Sequence, residues 1–433
     1  MKSITFDYSA AGFSEDEIAF EARRLLPYLA DLDIILKTEN WSHPAASILL
    51  PSAGECARQS LDLAKSLPKP SLIIVIGIGG SNLGTAAVCQ AVLGSHSNLL
   101  SKPQLLFADT TDGPSIHSIT ELARRHLKSG GHVILDVISK SGTTLETMAN
   151  FSALHSALLQ EKKSHVHVVA TSDEGSPLED WARVNACPSL SVPRMVGGRY
   201  SVFSNVALFP LALAGVDIHA LLSGAKTMRA RCLSKKISEN PAMRMAAILY
   251  LHHQTGRRIH DHFLFANDLM GLGLWARQLQ AESIGKEQRT DGSPAHTGLT
   301  PTVSIGSTDL HSMAQLYLAG PSDKFFRLVA VRKPSHDIAL PRDGMLGSLA
   351  PSASGRKLSV VLSAICGATA AAWRAKSIPF VAVSLPDLSA QSVGMLMQEE
   401  MMETIFLAKL LEVNAFDQPA VELYKKEVKR LLS

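Results

Sequence analysis

Apolar residues change their spacing near residue 70, which divides the chain into a helical start and a longer α/β part. Between residues 14 and 67 the pattern predicts helices only, beginning with a capping box at Ser14-Glu-Asp-Glu17. After Ser71, short runs of aliphatic and β-branched residues alternate with segments of helical spacing. Such runs are typical of parallel strands covered on both faces. The sequence therefore predicts an α/β fold.

The α/β part is predicted to contain two halves that pack together, because no repeat or low-complexity linker separates them. The first half has four predicted strands and three helices: the run ending at Gly77, then 104–108, 132–138 and 165–170, with helices at 85–93, 115–129 and 144–162. The second half is less regular, with predicted strands at 258–265, 326–331 and 378–385. Segments 288–300 and 337–354 are predicted loops, and the chain is predicted to be helical from 390, ending in a helix at 418–432. The apolar stretches 207–216 and 358–373 are shorter than a membrane span needs, and we expect buried helices there.

Composition excludes several classes of protein. The 433 residues are 46% hydrophobic and 19% charged, which is enough for roughly two to three domains with sizeable cores. A net charge of +3 does not favour binding to nucleic acid or to a membrane. The five cysteines are scattered without a CxxC pair, and the N-terminus lacks the apolar core of a signal peptide. We therefore expect reduced thiols and a cytoplasmic location.

The glycine loop in the stretch 71–84, SLIIVIGIGGSNLG, lies between the first strand and an apolar helix. This arrangement points the free N–H groups of a helix past the end of the strand, where anions bind. A dinucleotide fingerprint is excluded because Asn82 stands where its third glycine is needed, and no GxxxxGK[ST] motif is present. Gly79, Gly80 and Ser81 suit a small phosphorylated or hydroxylated ligand. A simple tight turn explains the same residues equally well.

A second loop, Ser139-Lys-Ser-Gly-Thr-Thr144, follows the third predicted strand and opens a helix. It carries four hydroxyl groups and one lysine within six residues. Capping the helix needs only one hydroxyl. The remaining donors suit a phosphate monoester, so the loop favours phosphate binding over a solvated turn.

Two charged residues are candidates for the chemistry itself. Arg199 follows paired glycines, and its rigid donor fork suits a developing oxyanion, although a surface cation is the simpler alternative. Glu282 lies near the end of a predicted helix and shares a face with Gln278, although a glutamate there is usually a solvated charge. Glu146, a rival base, falls in the first turn of a helix, where the helix dipole explains an acid.

Other titratable residues have two interpretations. His311 is predicted in the first turn of a helix capped by Asp309 or Thr308, where the dipole disfavours the cation and leaves neutral imidazole for proton transfer. Lys425 lies on the apolar stripe of the last helix and shares a face with Gln418, so it either snorkels or reaches a covered site. Four further histidines are interpreted as structural residues, not metal ligands: His252, His253, His260 and His262.

Taken together, the chain resembles the phosphoglucose isomerase family in its shorter bacterial form. The resemblance covers nearly the whole chain through six segments in the family's order: GIGGSNLG, ISKSGTTLET, VGGRYSVFS, QLQAESIGK, STDLHSMAQ and FDQPAVELYKK. It implies two sugar isomerase (SIS) domains, each an α/β sandwich with a parallel sheet, and additional helices at both ends. The implied division is an N-terminal helical segment at 1–68, SIS domains at 69–205 and 206–412, and a C-terminal helix at 413–433 that completes the active site.

The resemblance also assigns roles to individual residues. It implies that Glu282 moves a proton between C1 and C2 of the sugar, and that Arg199 stabilises the enediolate. It assigns ring opening and closure to His311 and Lys425, with His311 supplied across the interface of a homodimer. Contacts to phosphate or sugar are implied for the following residues: Gly80, Ser81, Ser139, Lys140, Ser141, Thr144, Gly198, Gln278 and Gln418.

The activity implied by the resemblance is the reversible conversion of D-glucose 6-phosphate to D-fructose 6-phosphate in glycolysis and gluconeogenesis. Such a reaction transfers a proton with no net redox change, so we expect neither a metal nor another cofactor. The expected partner is a small sugar phosphate. Two alternatives stay open: an isomerase that prefers mannose 6-phosphate, and a non-catalytic SIS module that senses sugar phosphates.

Overall fold

The computed structural model describes residues 3–100, 102–161, 163–342 and 345–433. Its strands, in chain order, are β1 Thr5–Asp7, β2 Leu72–Ile76, β3 Gln104–Ala108, β4 Val133–Ile138, β5 Val166–Ser172, β6 Ser189–Ser191, β7 Ile259–Phe265, β8 Lys286–Gln288, β9 Pro294–Thr297, β10 Thr300–Ile305, β11 Lys324–Val331 and β12 Phe380–Leu385. Its α-helices are α1 Glu15–Arg23, α2 Leu26–Lys37, α3 Gly54–Ser66, α4 Leu83–Leu93, α5 Ser97–Leu100, α6 Gly113–Lys128, α7 Leu145–Leu159, α8 Pro177–Val184, α9 Asn205–Leu213, α10 Ile218–Cys232, α11 Pro241–Gln254, α12 Met270–Ile284, α13 Ala314–Ala319, α14 Met345–Leu349, α15 Leu358–Ala375, α16 Ala390–Leu410 and α17 Glu422–Leu432.

The first sheet has the strand order β3-β2-β4-β5-β6, and every neighbouring pair is parallel. Every residue of β2 and β4 is buried, as expected for central strands covered by helices on both faces. All four strands predicted in this half are present, and the structure adds the short edge strand β6, which the sequence analysis missed. The predicted end of the third helix, Lys162, lies outside the described residues.

The second sheet has the order β1-β12-β11-β7-β10. Its strands are parallel except β1, which pairs antiparallel with β12. The three strands predicted here are confirmed, so the α/β class with two sheets is correct. Segment 14–67 contains helices only, as predicted, but the N-terminal segment 1–68 is not purely helical, because β1 joins it to the second sheet. Segment 288–300 was wrongly predicted as a plain loop, because β8 and β9 form a hairpin within 286–297 and β10 begins at Thr300.

The long helix α16 packs against α10, α11 and α12, and nearly all of its residues are buried. A fully buried guanidinium ties this helix to the second sheet: Arg327 of β11 forms ion pairs with Glu399, Glu400 and Glu403 of α16. Desolvation raises the pKa of all three carboxyl groups, against the lowering effect of Arg327. The cluster fixes α16, whose C-terminal end leads directly into segment 411–418 of the candidate site.

The two apolar stretches predicted as buried helices differ in the structure. Helix α9 is buried along almost its whole length, as predicted. Helix α15 is not, because only Thr369 and Trp373 are buried, where Trp373 packs against Phe326 at 4.3 Å between ring centroids. Among the described helices, α15 alone is long and apolar enough to cross a membrane by length and composition, which for a single helix is weak grounds. The predicted loop 337–354 contains α14, and its residues 343 and 344 lie outside the described residues.

Candidate active site

Two predicted loops meet at the carboxyl edge of the first sheet. Because β2 and β4 are parallel neighbours, the glycine loop after β2 and the hydroxyl loop after β4 leave the sheet side by side. A Cβ on Gly77 would lie 2.9 Å from Cβ of Ser81 and 3.1 Å from the carbonyl oxygen of Ile138. The two loops therefore form one continuous wall.

The hydroxyl loop has the geometry expected of an anion site. Ser139 Oγ lies 2.9 Å from Thr144 Oγ1 and accepts a hydrogen bond from the backbone N–H of Thr144 at 3.3 Å. Ser141 is exposed, and its Oγ accepts from Thr143. Helix α7 begins at Leu145, so its positive end and free N–H groups face the loop.

Lys140 connects the hydroxyl loop to the loop that carries Arg199. Its Nζ donates to the carbonyl oxygens of Arg194 at 2.6 Å and Val196 at 3.0 Å. Burial and the nearby Arg194 lower the pKa of Lys140, although Asp173 acts in the opposite direction. The ammonium thus holds two loops together at the predicted phosphate position.

The glycine loop packs directly on the loop of Arg199 and on α12. A Cβ on Gly80 would lie 2.1 Å from the carbonyl carbon of Gly198 and 2.4 Å from the amide nitrogen of Arg199. Gly79 has φ +60°, and a Cβ there would lie 2.8 Å from Nε2 of Gln278. Only glycine permits the backbone at residue 80 to come this close to the backbone of the Arg199 loop. This close packing favours the interpretation of the glycine loop as a wall of the site over its interpretation as a simple turn.

Arg199 is buried, and its five N–H donors face five acceptors, so the guanidinium has a single orientation. Nη1 donates to Oε1 of Gln418 at 2.7 Å and to Oε2 of Glu282 at 3.3 Å. The other three bonds are from Nε to Ser283 Oγ at 2.8 Å, and from Nη2 to the carbonyl oxygens of Ala415 at 2.7 Å and Asp417 at 3.0 Å. The longest of the five bonds is the one to Glu282.

Glu282 lies in the last turn of α12, as predicted. Its Oε1 accepts from Nε2 of Gln278 at 3.0 Å, which confirms that these two residues share a face. The Glu282 side chain is 34% exposed, whereas that of Arg199 is 2% exposed. A carboxylate that is accessible to a ligand thus lies beside a cation that is fixed and desolvated.

Sequence reasoning missed several residues that build this cluster. Ser283 joins Arg199 to Tyr200, whose hydroxyl lies 2.9 Å from Ser283 Oγ and whose pKa burial raises. Lys286 donates to the carbonyl oxygens of Glu282 and Asp417, both at 2.6 Å. The lysine stands in the conspicuous segment QLQAESIGK, but its acceptors are backbone atoms that a sequence pattern does not reveal.

His311 is not in the first turn of an α-helix, as the sequence analysis predicted. It follows the 3₁₀ turn Thr308–Leu310, and α13 begins only at Ala314. Asp309 is not a helix cap, because its carboxylate accepts from the N–H of Ile305 and from Ser312 Oγ. The His311 side chain is exposed and makes no hydrogen bond or ion pair within the part of the chain that the structure describes. Among the described residues, no hydrogen bond or ion pair joins it to Glu282.

Lys425 is not on a buried stripe, because α17 contains no buried residue and Leu423 is 75% exposed. Its Nζ pairs with Glu422 at 2.7 Å, and this hydrogen bond raises the pKa of Lys425. The charge of Glu146 in α7 also acts on Lys425, which places the start of the last helix near the hydroxyl loop. Gln418, by contrast, already contacts Arg199.

The group of four histidines belongs to the core. His252 lies 2.9 Å from the carbonyl oxygen of Ala11, and His260 lies 3.0 Å from Oε1 of Gln280. Burial lowers the pKa of His252 to about 3 and of His253 to about 4. Over residues 3–100, 102–161, 163–342 and 345–433, no group of three His, Cys, Asp or Glu residues is arranged to hold a metal ion.

Several known proteins are similar to this chain in sequence or in fold. The sequence profile of phosphoglucose isomerase matches residues 66–331. A glucose-6-phosphate isomerase of Rubrobacter xylanophilus is 34% identical over 98% of this chain and 97% of its own length, and a probable glucose-6-phosphate isomerase of Methanococcus maripaludis is 35% identical over 82% and 77%.

Among solved structures, a hypothetical protein of Thermus thermophilus matches with a TM-score of 0.87 and 29% identity over the full length of both chains. A glucose-6-phosphate isomerase of Chlamydia trachomatis matches with a TM-score of 0.82 over 100% of this chain and 89% of its own. At 21% identity, the second match shows a shared fold.

Proposed function

Because the chain belongs to the phosphoglucose isomerase family, we propose that it interconverts D-glucose 6-phosphate and D-fructose 6-phosphate through an enediolate, in glycolysis and gluconeogenesis. The family match and the relatives named glucose-6-phosphate isomerase support this activity. The observation that carries it is the pairing of Glu282 with Arg199 beside two loops of anion-binding geometry. We also propose a cytoplasmic location, on the composition of the chain.

The phosphate group is anchored by the hydroxyl loop. Ser139, Ser141 and Thr144 supply hydroxyls, Lys140 supplies a positive charge, and the first amides of α7 supply further donors. Ser81 and Gly80 form the adjoining wall. An anchored phosphate fixes the sugar so that its C1–C2 end reaches Glu282, and such orientation supplies a large part of the rate.

Glu282 acts as the base that removes the proton from C2 and returns it to C1. Its carboxylate is exposed to a ligand but is held by Gln278, which limits its rotation. A positioned base contributes typically about 10²- to 10⁴-fold. Substrate oxygens replace Glu282 as the partner of Arg199 Nη1, because this is the longest bond that the guanidinium makes.

Arg199 stabilises the negative charge that develops on the enediolate oxygens. Its guanidinium is already fixed by Ser283, Ala415 and Asp417, so little reorganisation accompanies the reaction. Gln278, Gln418 and Gly198 complete the contacts to the sugar. Neither a redox partner nor a transferred group is needed for this sequence of proton transfers.

We propose that ring opening uses Lys425 and His311, and that His311 belongs to the site of a second subunit. The exposure of His311 and its lack of side-chain partners within the described residues support this arrangement. Helix α15 of the same chain has a broad exposed apolar face, on which Val360 is 44% exposed. The protein would then be a homodimer, with each active site completed by its partner.

The activity is tested by a coupled assay in which fructose 6-phosphate formed from glucose 6-phosphate is measured. Mannose 6-phosphate at equal concentration serves as the competing substrate. We expect turnover of glucose 6-phosphate with a much larger kcat/KM. Preference for mannose 6-phosphate would favour the alternative isomerase, and binding of both sugars without turnover would favour a sensing module.

The shared site is tested by mixing two inactive variants, His311→Ala and Glu282→Gln. If His311 acts across the interface, a mixed dimer has one intact site, and random mixing restores about a quarter of wild-type activity. If His311 acts within its own chain, no mixed site is complete and activity does not return. Sedimentation of the wild type reports the oligomeric state independently.

A further inference from the structure

Lys286 occupies an unusual position for a lysine, directly after the helix that carries the proposed base. Its side chain is only 6% exposed. The ammonium has three donors, and the structure supplies three acceptors: the carbonyl oxygens of Glu282 and Asp417, both at 2.6 Å, and Oδ1 of Asp417 at 3.3 Å. A buried ammonium that is held by two backbone carbonyl oxygens and one carboxylate is a defined structural feature and not a solvated charge.

The carbonyl oxygen of Asp417 links Lys286 to Arg199. It accepts from Nζ of Lys286 at 2.6 Å and from Nη2 of Arg199 at 3.0 Å. One backbone oxygen therefore accepts hydrogen bonds from both Lys286 and Arg199. The other end of the Lys286 bridge is the carbonyl oxygen of Glu282, the residue whose side chain pairs with Arg199.

We propose that Lys286 is a positioning residue for this site: its ammonium fixes the backbone at Glu282 against the backbone at Asp417, and so sets the distance between the base and Arg199. This inference rests on the proposed function. Lys286 does not touch the substrate, because its donors are used by the backbone and by Asp417. It acts by holding α12 against segment 411–418.

The charge on Lys286 is part of this role. The charged groups that act on it are Arg199, Glu282 and Asp417. An open cavity of about 580 Å³ beside it is also lined by other ionisable side chains: His43, Glu287, Arg289 and Lys409. Burial, followed by the repulsion from Arg199, lowers the pKa of Lys286 in spite of the two acids. Deprotonation of Lys286 removes one donor and the attraction to Asp417, so the bridge weakens. Because the pKa of Lys286 is lowered, this weakening occurs at an alkaline pH that lies below the usual titration range of lysine.

The experiment compares Lys286→Gln, Lys286→Arg and wild type by steady-state kinetics with glucose 6-phosphate between pH 6 and 10. Lys409→Gln is the matched control, because it removes the same charge from the same cavity without a bond to Glu282 or Asp417. Thermal unfolding of each variant shows whether it is folded.

We expect Lys286→Gln to lower kcat by about 10- to 100-fold while KM changes by less than about threefold, because a misplaced base costs rate more than binding. Lys286→Arg keeps the charge, so it should recover part of kcat and lose the alkaline decline, since arginine does not titrate in this range. Lys409→Gln should match wild type.

If Lys286 only stabilises the fold, the experiment gives a different result. A folded Lys286→Gln with the kcat of wild type overturns the inference, as does a Lys286→Arg variant with the alkaline decline of wild type. If Lys286→Gln does not fold, the pH profile of Lys286→Arg gives the answer. Inactive wild type overturns the proposed function and this inference with it, whereas an active wild type with unaffected variants overturns this inference alone.

Discussion

Replacing Gly80 with alanine adds one methyl group where two loops of the site meet. The new Cβ would lie 2.1 Å from the carbonyl carbon of Gly198, 2.5 Å from its oxygen and 2.4 Å from the amide nitrogen of Arg199. Ordinary contact begins at 3.4 Å, so the shortest of these distances is about 1.3 Å too small. All three obstructing atoms belong to the backbone, so no side-chain rotation relieves the clash.

The loops must therefore separate by about an ångström, and Arg199 moves with them. A displacement of about 1 Å at a reacting centre costs roughly 10²-fold in rate. Overpacking of this kind also costs about 1–3 kcal/mol of folding free energy. We expect Gly80→Ala to remain folded with a modestly lower melting temperature, and to lose roughly 100-fold in kcat/KM for glucose 6-phosphate.

The matched control is Gly54→Ala at the first residue of α3, where an added Cβ meets no atom within 4 Å. This variant should retain the activity and stability of wild type. The coupled assay and a thermal melt on both variants are sufficient. A folded Gly80→Ala within threefold of wild-type kcat/KM would show that the two loops do not have to be in contact for catalysis.

Three further predictions concern Arg199, the hydroxyl loop and the buried carboxyl group of Asp136. Arg199→Lys loses the donor fork and its hydrogen bonds to Ser283 and to the carbonyl oxygen of Ala415, so kcat should fall by about 10²- to 10³-fold in steady-state assays. Ser141→Ala together with Thr144→Val should raise KM for glucose 6-phosphate and weaken competitive inhibition by inorganic phosphate, with a smaller effect on kcat. Asp136 of β4 is fully buried, neither carboxyl oxygen has a hydrogen-bond partner among the described residues, and desolvation raises its pKa. Because the pKa of Asp136 is higher in the folded state than its value of about 3.9 in the unfolded state, stability is lost as pH rises above that value. Asp136→Val should therefore increase the free energy of unfolding in urea by about 1–3 kcal/mol at pH 7 and by less at pH 4.

The sequence predicted the central strands well and missed three of the four edge strands of the two five-stranded sheets, β3 being the one that was found. Strand β2 is a continuous apolar run and β4 is apolar except for Asp136, a pattern typical of a sheet that is covered on both faces. Strands β1 and β10 lie at the edges of the second sheet, and their short, mixed segments TFD and TPTVSI carry no such signal. Helix α15 was misjudged because an apolar helix face looks the same in sequence whether this chain or another molecule covers it.

The sequence predicted those parts of the candidate site that are formed by polar side chains in recognisable segments. Glu282 with Gln278, Arg199 and the hydroxyl loop were candidates from spacing and residue type, whereas their roles came from the family resemblance. The structure brings Glu282 into contact with Gln278 and Arg199. The bridge of Lys286 was not found, because its partners are the carbonyl oxygens of residues distant in the chain. The surroundings of His311 and Lys425 were misjudged because helix starts and helix burial depend on tertiary contacts.

The central claim is that Glu282 carries the proton between C2 and C1. Incubation of glucose 6-phosphate in D₂O tests it, with deuterium at C2 measured by NMR for wild type and for Glu282→Gln, which has a similar shape but no basic carboxylate. The account predicts steady incorporation of deuterium at C2 by wild type, and incorporation lowered by at least about 100-fold in a folded Glu282→Gln variant. Incorporation by Glu282→Gln at the rate of wild type would contradict it, and another group would have to be the base.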